Sequence, residues 1–153
     1  MAVRLVEGAT LRRLSRAREF IEAKHAEAIT LEAMAESAGL SPFHFLRLFR
    51  DVFEETPHRY LTRVRLARAK ALLARGASVT EACFGVGFSS VGSFSSLFAR
   101  EVACSPSAYR RALRYAAPVP DDLATLVIPC CFLARFAGRG ATFEKTRGPG
   151  LTT

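Results

Sequence analysis

The sequence predicts an all-α fold of about seven helices, with two helix-turn-helix units joined by a long central helix and a short irregular C-terminal extension. Two observations carry this prediction. Apolar residues recur at three- and four-residue spacings between helix-capping residues and glycines. The pattern of residues 31–60 then returns about 49 positions later. We therefore divide the chain into a lead-in (1–9), a double helix-turn-helix domain (10–115) and an extension (116–153).

The first helix is predicted from about Thr10 to Ala26. Its basic residues lie largely off its apolar side, and we interpret them as a solvated face, with phosphate contact as the alternative. The apolar side comprises Leu11, Leu14, Ala17, Phe20 and Ile21, and the basic cluster comprises Arg12, Arg13, Arg16 and Arg18.

The next two helices form the first helix-turn-helix. Thr30 caps a helix from Leu31 to Ala38, and Gly39-Leu40 make the turn because glycine adopts the left-handed conformation readily. Ser41 is the N-cap of a helix that continues to about Phe53, and Pro42 occupies its first position. The buried stripe of this helix is Phe45, Leu48 and Phe49, which leaves Phe43, His44, Leu46, Arg47 and Arg50 facing outward. Arginines beside bulky apolar groups are typical of a helix that enters the DNA major groove.

The long central helix begins after Thr56-Pro57 and continues to about Arg75, where Gly76 ends it. Its length makes it a candidate strut between the two units. We assign its apolar side to Tyr60, Leu61, Val64, Ala67, Ala71 and Leu72, and its outer side to Arg59, Arg63, Arg65, Arg68 and Lys70.

The second unit repeats the first. Ser78 and Glu81 form a capping box that opens a short helix, and Val86-Gly87-Phe88 make the turn. A second candidate recognition helix follows Ser89 or Ser90 and continues to about Glu101, and a last helix spans Ser107 to Tyr115. The repeated positions include Phe94, Leu97, Phe98, Pro106 and Tyr109, which correspond to Phe45, Leu48, Phe49, Pro57 and Tyr60.

Composition limits the function classes. The 153 residues carry a formal net charge of +8, and all but three of the 22 basic residues are arginine, which suits contacts to phosphate and guanine. No apolar stretch is long enough to span a membrane and no signal-peptide core is present, so we expect a cytoplasmic protein. We identify no catalytic residue, no metal-ligand set and no cofactor motif, and we do not expect an enzyme.

The stretch from about Leu11 to Arg114 resembles the DNA-binding domain of the AraC/XylS family of bacterial transcription regulators. The segments that carry the resemblance include 35–41, 47–49, 56–61, 65–69, 87–90 and 105–111. The resemblance implies that one chain places two recognition helices in successive major grooves of double-stranded DNA, so that a monomer suffices. It also implies transcription activation more than repression, and contact with RNA polymerase. The residues before Leu11 and after Tyr115 are too few for the family's usual effector domain, so we expect a stand-alone DNA-binding domain.

The resemblance also assigns site residues. The base-contacting positions fall on Phe43, Leu46 and Arg47 in the first unit, and on Val91, Gly92 and Ser96 in the second. We ourselves expect backbone contacts from Ser41, His44, Arg50, Arg59, Ser90 and Arg100. The second unit departs from the family pattern because its side chains are short, so we expect it to hold the DNA backbone and discriminate few bases.

Two alternatives remain at this point. A helical adaptor that binds a protein would not need arginines on the outward face of residues 43–50. A thiol- or metal-responsive regulator would use Cys130 and Cys131, but adjacent cysteines alone are poor metal ligands and only Asp121 and Asp122 lie nearby.

Overall fold

The computed structural model describes residues 8–115, which form seven helices. In chain order they are α1 (Gly8–Lys24), α2 (Leu31–Ser37), α3 (Pro42–Phe53), α4 (Pro57–Ala74), α5 (Val79–Gly85), α6 (Val91–Val102) and α7 (Pro106–Tyr115). The predicted all-α class is confirmed. Helix α1 begins two residues before the predicted Thr10 and ends at Lys24, because Glu27 already bonds back to the Lys24 carbonyl in a turn.

Side-chain caps open several helices where the sequence predicts them. Thr30 and Thr56 accept hydrogen bonds from the third residue beyond each, at 3.3 Å in both cases. The capping box is complete: Ser78 Oγ accepts from the Glu81 N–H at 3.1 Å, and the Glu81 carboxylate accepts from the Ser78 N–H at 2.7 Å. Ser41 occupies the N-cap position of α3, but its side chain makes no capping hydrogen bond.

The buried residues form two hydrophobic clusters that share α4. The first unit is α1, α2, α3 and the N-terminal half of α4, and its core includes Ile21, Phe45 and Leu61. The second unit is the C-terminal half of α4 with α5, α6 and α7, and its core includes Leu73 and Phe98. At 18 residues, α4 is about 27 Å long, so the predicted strut between two units is confirmed.

Each core is built around the same chain of aromatic rings. In the first unit, the centroid of Phe49 lies 5.3 Å from that of Phe45 and 5.7 Å from that of Tyr60. In the second unit, Phe98 lies 5.6 Å from both Phe94 and Tyr109. The sequence repeat is therefore a repeat of core packing.

The prediction for the buried face of α4 was wrong in part. Ala67 is exposed, whereas Leu66, Ala69 and Leu73 are buried. The reason is that α4 buries one face against the first unit and another face against the second, so no single stripe follows its whole length. Leu11 in α1, also predicted to lie on an apolar side, is 42% exposed.

Left-handed backbone conformations occur at equivalent places in the two units. Gly39 and Gly87 have φ values of +64° and +88° in the two turns, as predicted for Gly39. The C-cap residues that follow α3 and α6, Glu54 and Ala103, have φ values of +57° and +61°. Neither of these last two residues is glycine, so each carries a conformational cost.

Several predictions lie outside the described residues. They include most of the lead-in (1–7), the extension (116–153) and the thiol-sensor alternative at Cys130 and Cys131. Between residues 8 and 115, none of the helices combines the length and apolar character needed to cross a membrane.

Candidate nucleic-acid interface

The first candidate recognition helix, α3, has one buried and one exposed face. Phe45 and Phe49 are fully buried, while Phe43 is 78% exposed and Arg47 and Arg50 are exposed. Between residues 8 and 115, Phe43 is the most exposed of the large apolar side chains, and it shares the outer face of α3 with cationic side chains. Of the other residues predicted to face outward, His44 is exposed and Leu46 is half-buried.

The two arginines of this face are available for a ligand. Within residues 8–115, neither the Arg47 nor the Arg50 side chain makes a hydrogen bond or an ion pair. Their positive charge is therefore not neutralised inside the described part of the chain. A guanidinium in this state can donate to a phosphate or to a guanine edge.

The second candidate recognition helix, α6, has the same buried face and a different exposed face. Phe94 and Phe98 are fully buried, whereas Gly92 and Ser96 are exposed and Val91 is half-buried. A Cβ atom at position 92 would meet only the Ser90 hydroxyl, at 3.8 Å, so packing does not require glycine there. The exposed face of α6 therefore projects less side chain than that of α3.

The two predicted N-cap serines differ in how their hydroxyls are used. Ser90 Oγ accepts a hydrogen bond from the Ser93 N–H at 3.4 Å, which leaves its own O–H to donate. Ser41 Oγ makes no capping bond, so both its donor and acceptor functions are open. Both serines are exposed at the start of a candidate recognition helix.

The remaining predicted backbone contacts, Arg59 and Arg100, line one open groove beside α4. The groove is mixed in charge, since Glu54, Glu55 and Glu101 also line it. Arg100 Nε donates to Glu101 at 3.1 Å, but both side chains are largely exposed. An exposed pair of this kind contributes about 0–1 kcal/mol, so a phosphate can compete for the arginine.

Three other basic side chains that the sequence placed on outer faces are half-buried or bonded to distant parts of the chain. Arg65 is half-buried and donates to two backbone carbonyls, and burial lowers the pKa of its guanidinium. Lys70 is half-buried, and burial lowers the pKa of its ammonium group. In α1, Arg18 donates to the Tyr60 hydroxyl at 3.1 Å.

The sequence did not identify the roles of Arg65 and Arg18, because their hydrogen-bond partners are far away in the chain. Arg65 and its acceptors are separated by 38 and 40 residues, and Arg18 and Tyr60 by 42. Arg12, Arg13 and Arg16 of the same predicted cluster are exposed.

Among residues 8–115, no group of three or more His, Cys, Asp or Glu side chains is placed to hold a metal ion.

Comparison with known proteins agrees with this architecture. Residues 34–112, more than half of the chain, match the model of a helix-turn-helix domain family. The chain is 39% identical over 90 residues to RclR of Escherichia coli, described as an RCS-specific HTH-type transcriptional activator. That match covers 58% of this chain and 32% of RclR. The transcriptional activator RhaS of Salmonella schwarzengrund is 38% identical over 110 residues, which are 70% of this chain and 40% of RhaS. The chain thus spans about a third of the length of these curated relatives.

Solved structures of DNA-binding regulators superpose on the described helices as well. The DNA-binding domain of AdpA, determined in complex with a target DNA, superposes with a TM-score of 0.65 at 30% identity, covering 69% of this chain and 96% of that one. An AraC-type regulator from Chromobacterium violaceum also superposes with a TM-score of 0.65, at 26% identity, covering 72% and 100% of the two chains. With the matched family model and the repeated helix-turn-helix architecture, these similarities show that the chain belongs to the AraC/XylS family of DNA-binding transcription regulators.

Proposed function

We propose that this protein is a sequence-specific transcription regulator that inserts α3 and α6 into successive major grooves on one side of a DNA duplex. The observation that carries the proposal is the exposed face of α3, where a 78% exposed phenylalanine lies beside two arginines that have no partner among residues 8–115. The net charge of +8 adds a general attraction to DNA. The relative AdpA was solved bound to DNA through a domain of the same fold.

The first unit supplies most of the sequence discrimination. Arg47 donates both arms of its guanidinium to the O6 and N7 atoms of one guanine, a contact that discriminates by about 1–3 kcal/mol. Phe43 and Leu46 contact thymine methyl groups. Ser41, His44 and Arg50 donate to phosphates and fix the position of α3 on the duplex.

The second unit holds the duplex more than it discriminates between bases. Val91, Gly92 and Ser96 present a methyl group, no side chain and a short hydroxyl at the positions assigned to base contact. Ser90 and Arg100 contact phosphates from the same unit, and Arg59 does so from α4.

The length of α4 implies that the shape of the DNA also contributes to sequence specificity. One turn of B-DNA is about 34 Å long, whereas α4 is about 27 Å long. If the recognition helices are held closer together than one DNA turn, the duplex bends to accept both. Sequences that bend easily are then favoured at base pairs that no side chain contacts.

The relatives RclR and RhaS are described as activators, which supports the same role here. An activator of this kind also contacts RNA polymerase. A reporter gene downstream of the selected site, transcribed with purified polymerase, tests this part directly. Transcription that rises with added protein supports activation, and transcription that falls contradicts it.

The experiment that tests DNA recognition is selection of bound duplexes from a random pool, followed by affinity measurements on the enriched site at several salt concentrations. We expect Arg47→Ala to weaken binding by about 1–3 kcal/mol and to abolish the preference at one guanine. The matched control is Arg75→Ala, which removes an exposed arginine at the end of α4, outside both recognition helices. Wild-type protein that enriches no sequence, or that does not bind at about 0.15 M salt, contradicts the proposal.

A further inference from the structure

The two hydrophobic cores are separate, and α4 is the element that they share. A single helix with an independent unit at each end would leave the second unit free to swing with any bending of that helix. A lateral contact beside α4 would prevent this motion. The side chain of Arg65 makes such a contact at the boundary between Leu61, which lies in the first core, and Leu66, which lies in the second.

Arg65 reaches from α4 to the turn that follows α1. Its Nε donates to the His25 carbonyl at 2.7 Å, and its Nη2 donates to the Glu27 carbonyl at 2.8 Å. Two N–H groups of one planar guanidinium thus hold two carbonyls of one turn. A lysine at this position would present a single ammonium group instead of this fixed fork.

The second unit meets the same turn from its own side. Gly87 lies so close to it that a Cβ atom at position 87 would be 2.6 Å from the Ala26 carbonyl oxygen and 2.8 Å from its carbonyl carbon. The neighbouring residue, Phe88, places its ring 5.6 Å from the Arg65 guanidinium carbon. Phe88 packs in turn on the second core, with its ring 5.3 Å from that of Phe94.

The turn formed by residues 25–27 therefore lies between two elements. Arg65 contacts it from α4, and Gly87 contacts it from the turn between α5 and α6. The equivalent glycine of the first unit, Gly39, has no such neighbour: a Cβ atom there would meet nothing within 4 Å. The close approach at Gly87 is thus a property of the contact between the units, and the turn conformation alone does not require it.

We infer that Arg65 and Gly87, closing on the backbone of residues 25–27, fix the orientation of the second unit relative to the first, and so set the spacing between DNA half-sites that the protein accepts. Arg65 is a positioning residue in this inference, because it acts through the placement of α6 and not by contact with a base. The part that concerns spacing rests on the proposed function; the part that concerns orientation does not.

Orientation is measured without DNA. Spectroscopic labels are attached through unnatural amino acids at Glu36 in α2 and Thr80 in α5, both exposed, and the distribution of distances between them is recorded by double electron–electron resonance. We expect a narrow distribution in the wild type and a broad one in Arg65→Ala. The control is Arg63→Ala, which removes the same charge from the same helix and breaks the ion pair to Glu55 and the contact with the Tyr60 ring, neither of which involves residues 25–27 or Gly87.

Spacing is measured with duplexes that carry the selected site with one base pair added or removed between the half-sites. One base pair shifts a half-site by about 3.4 Å and rotates it by about 35°. Because the second unit discriminates few bases, a displaced half-site removes only the base contacts of α6, and we expect the wild type and Arg63→Ala to lose about fivefold in affinity. Arg65→Ala should lose less than about twofold, because its second unit can follow the displaced half-site.

The outcomes separate the two claims. An unchanged distance distribution in folded Arg65→Ala overturns the inference, and so does a spacing penalty equal to that of the wild type. If Arg65→Ala does not fold, Arg65→Lys decides: with only one contact retained, its distribution should be broader than that of the wild type, and a wild-type width overturns the inference. If no variant, wild type included, binds a specific sequence, the proposed function fails while the distance measurement still tests the orientation.

Discussion

Gly39 and Gly87 occupy equivalent turns in the two units, yet alanine should be tolerated very differently at the two positions. Both residues have positive φ, so alanine costs about 1–2 kcal/mol of left-handed strain at either one. Alanine also reduces the conformational entropy of the unfolded chain, which offsets about 0.4–1 kcal/mol of this loss in stability. At position 39 nothing within residues 8–115 lies within 4 Å of the new Cβ atom, so only the backbone strain and the entropy of the unfolded chain change the stability. We expect Gly39→Ala to lower the free energy of unfolding by about 0–1.5 kcal/mol.

At position 87 a steric clash also lowers the free energy of unfolding. The new Cβ atom would meet the Ala26 oxygen at 2.6 Å, its carbonyl carbon at 2.8 Å and its Cα at 3.0 Å. These are backbone atoms, and the carbonyls on both sides of Ala26 are held by Arg65. The clash cannot be relieved by rotating a side chain, so it adds the cost of overpacking, about 1–3 kcal/mol. Gly87→Ala should therefore cost about 1–4.5 kcal/mol in total.

The assay is urea unfolding of both variants, followed by circular dichroism at the helical band, with the midpoint and the slope fitted together. The slope should stay constant if only the folded state is affected. A difference of about 1–3 kcal/mol between the two variants is the expected result. Equal losses would refute the argument, since they would show that the contact with Ala26 imposes no cost of its own.

Three further predictions concern a helix terminus, a cap and a DNA contact. Ala103→Gly should raise the free energy of unfolding by about 0.5–1 kcal/mol, because α6 ends with φ at +61°; a thermal melt that does not rise contradicts this. The hydrogen bond from the Ser78 N–H lowers the pKa of Glu81, so its contribution is present above about pH 4.5 and is lost as pH falls through the lowered pKa. Glu81→Gln should thus unfold with a weaker dependence on pH in acid, and identical acid transitions for the variant and the wild type would refute this assignment. Arg50→Ala should reduce the slope of log affinity against log salt by about 0.9 without changing the selected sequence, and a changed sequence would mean that Arg50 contacts a base.

The parts of the fold that were predicted correctly from the sequence depend on local interactions. A capping serine and its partner glutamate are three residues apart, as at Ser78 and Glu81, so the helix start is encoded within one turn. The repeat extended this local information by showing that the second unit packs like the first. Cys83 in the core of that unit is fully buried, and its burial raises the pKa of its thiol.

The parts that were predicted wrongly depend on contacts between distant segments. The faces of α4 that become buried are determined by two cores on different sides of the helix, and a single hydrophobic stripe cannot describe both. The sequence alone does not distinguish Arg65, which holds a distant turn, from Arg68, which is exposed three residues later. For the candidate site, the exposure of Phe43 and Arg47 follows from helical spacing, whereas their contacts with bases stay a prediction.

The two units have kept the same core and diverged on their outer faces, and this difference bears on function. Phe45, Phe49 and Tyr60 recur as Phe94, Phe98 and Tyr109, with ring separations of 5.3–5.7 Å in both units. The outward positions do not recur: 49 residues after Phe43 and Arg47 stand Gly92 and Ser96. Packing constrains the first set in either unit, because loss of a buried aromatic ring costs about 3–5 kcal/mol. The exposed set is free of that constraint, so its differences reflect what each helix contacts. At the equivalent outward positions α3 is bulky and cationic, whereas α6 carries short, uncharged residues. This difference supports the proposal that α3 selects the sequence, while α6 adds affinity at a distance that the contact between the units determines.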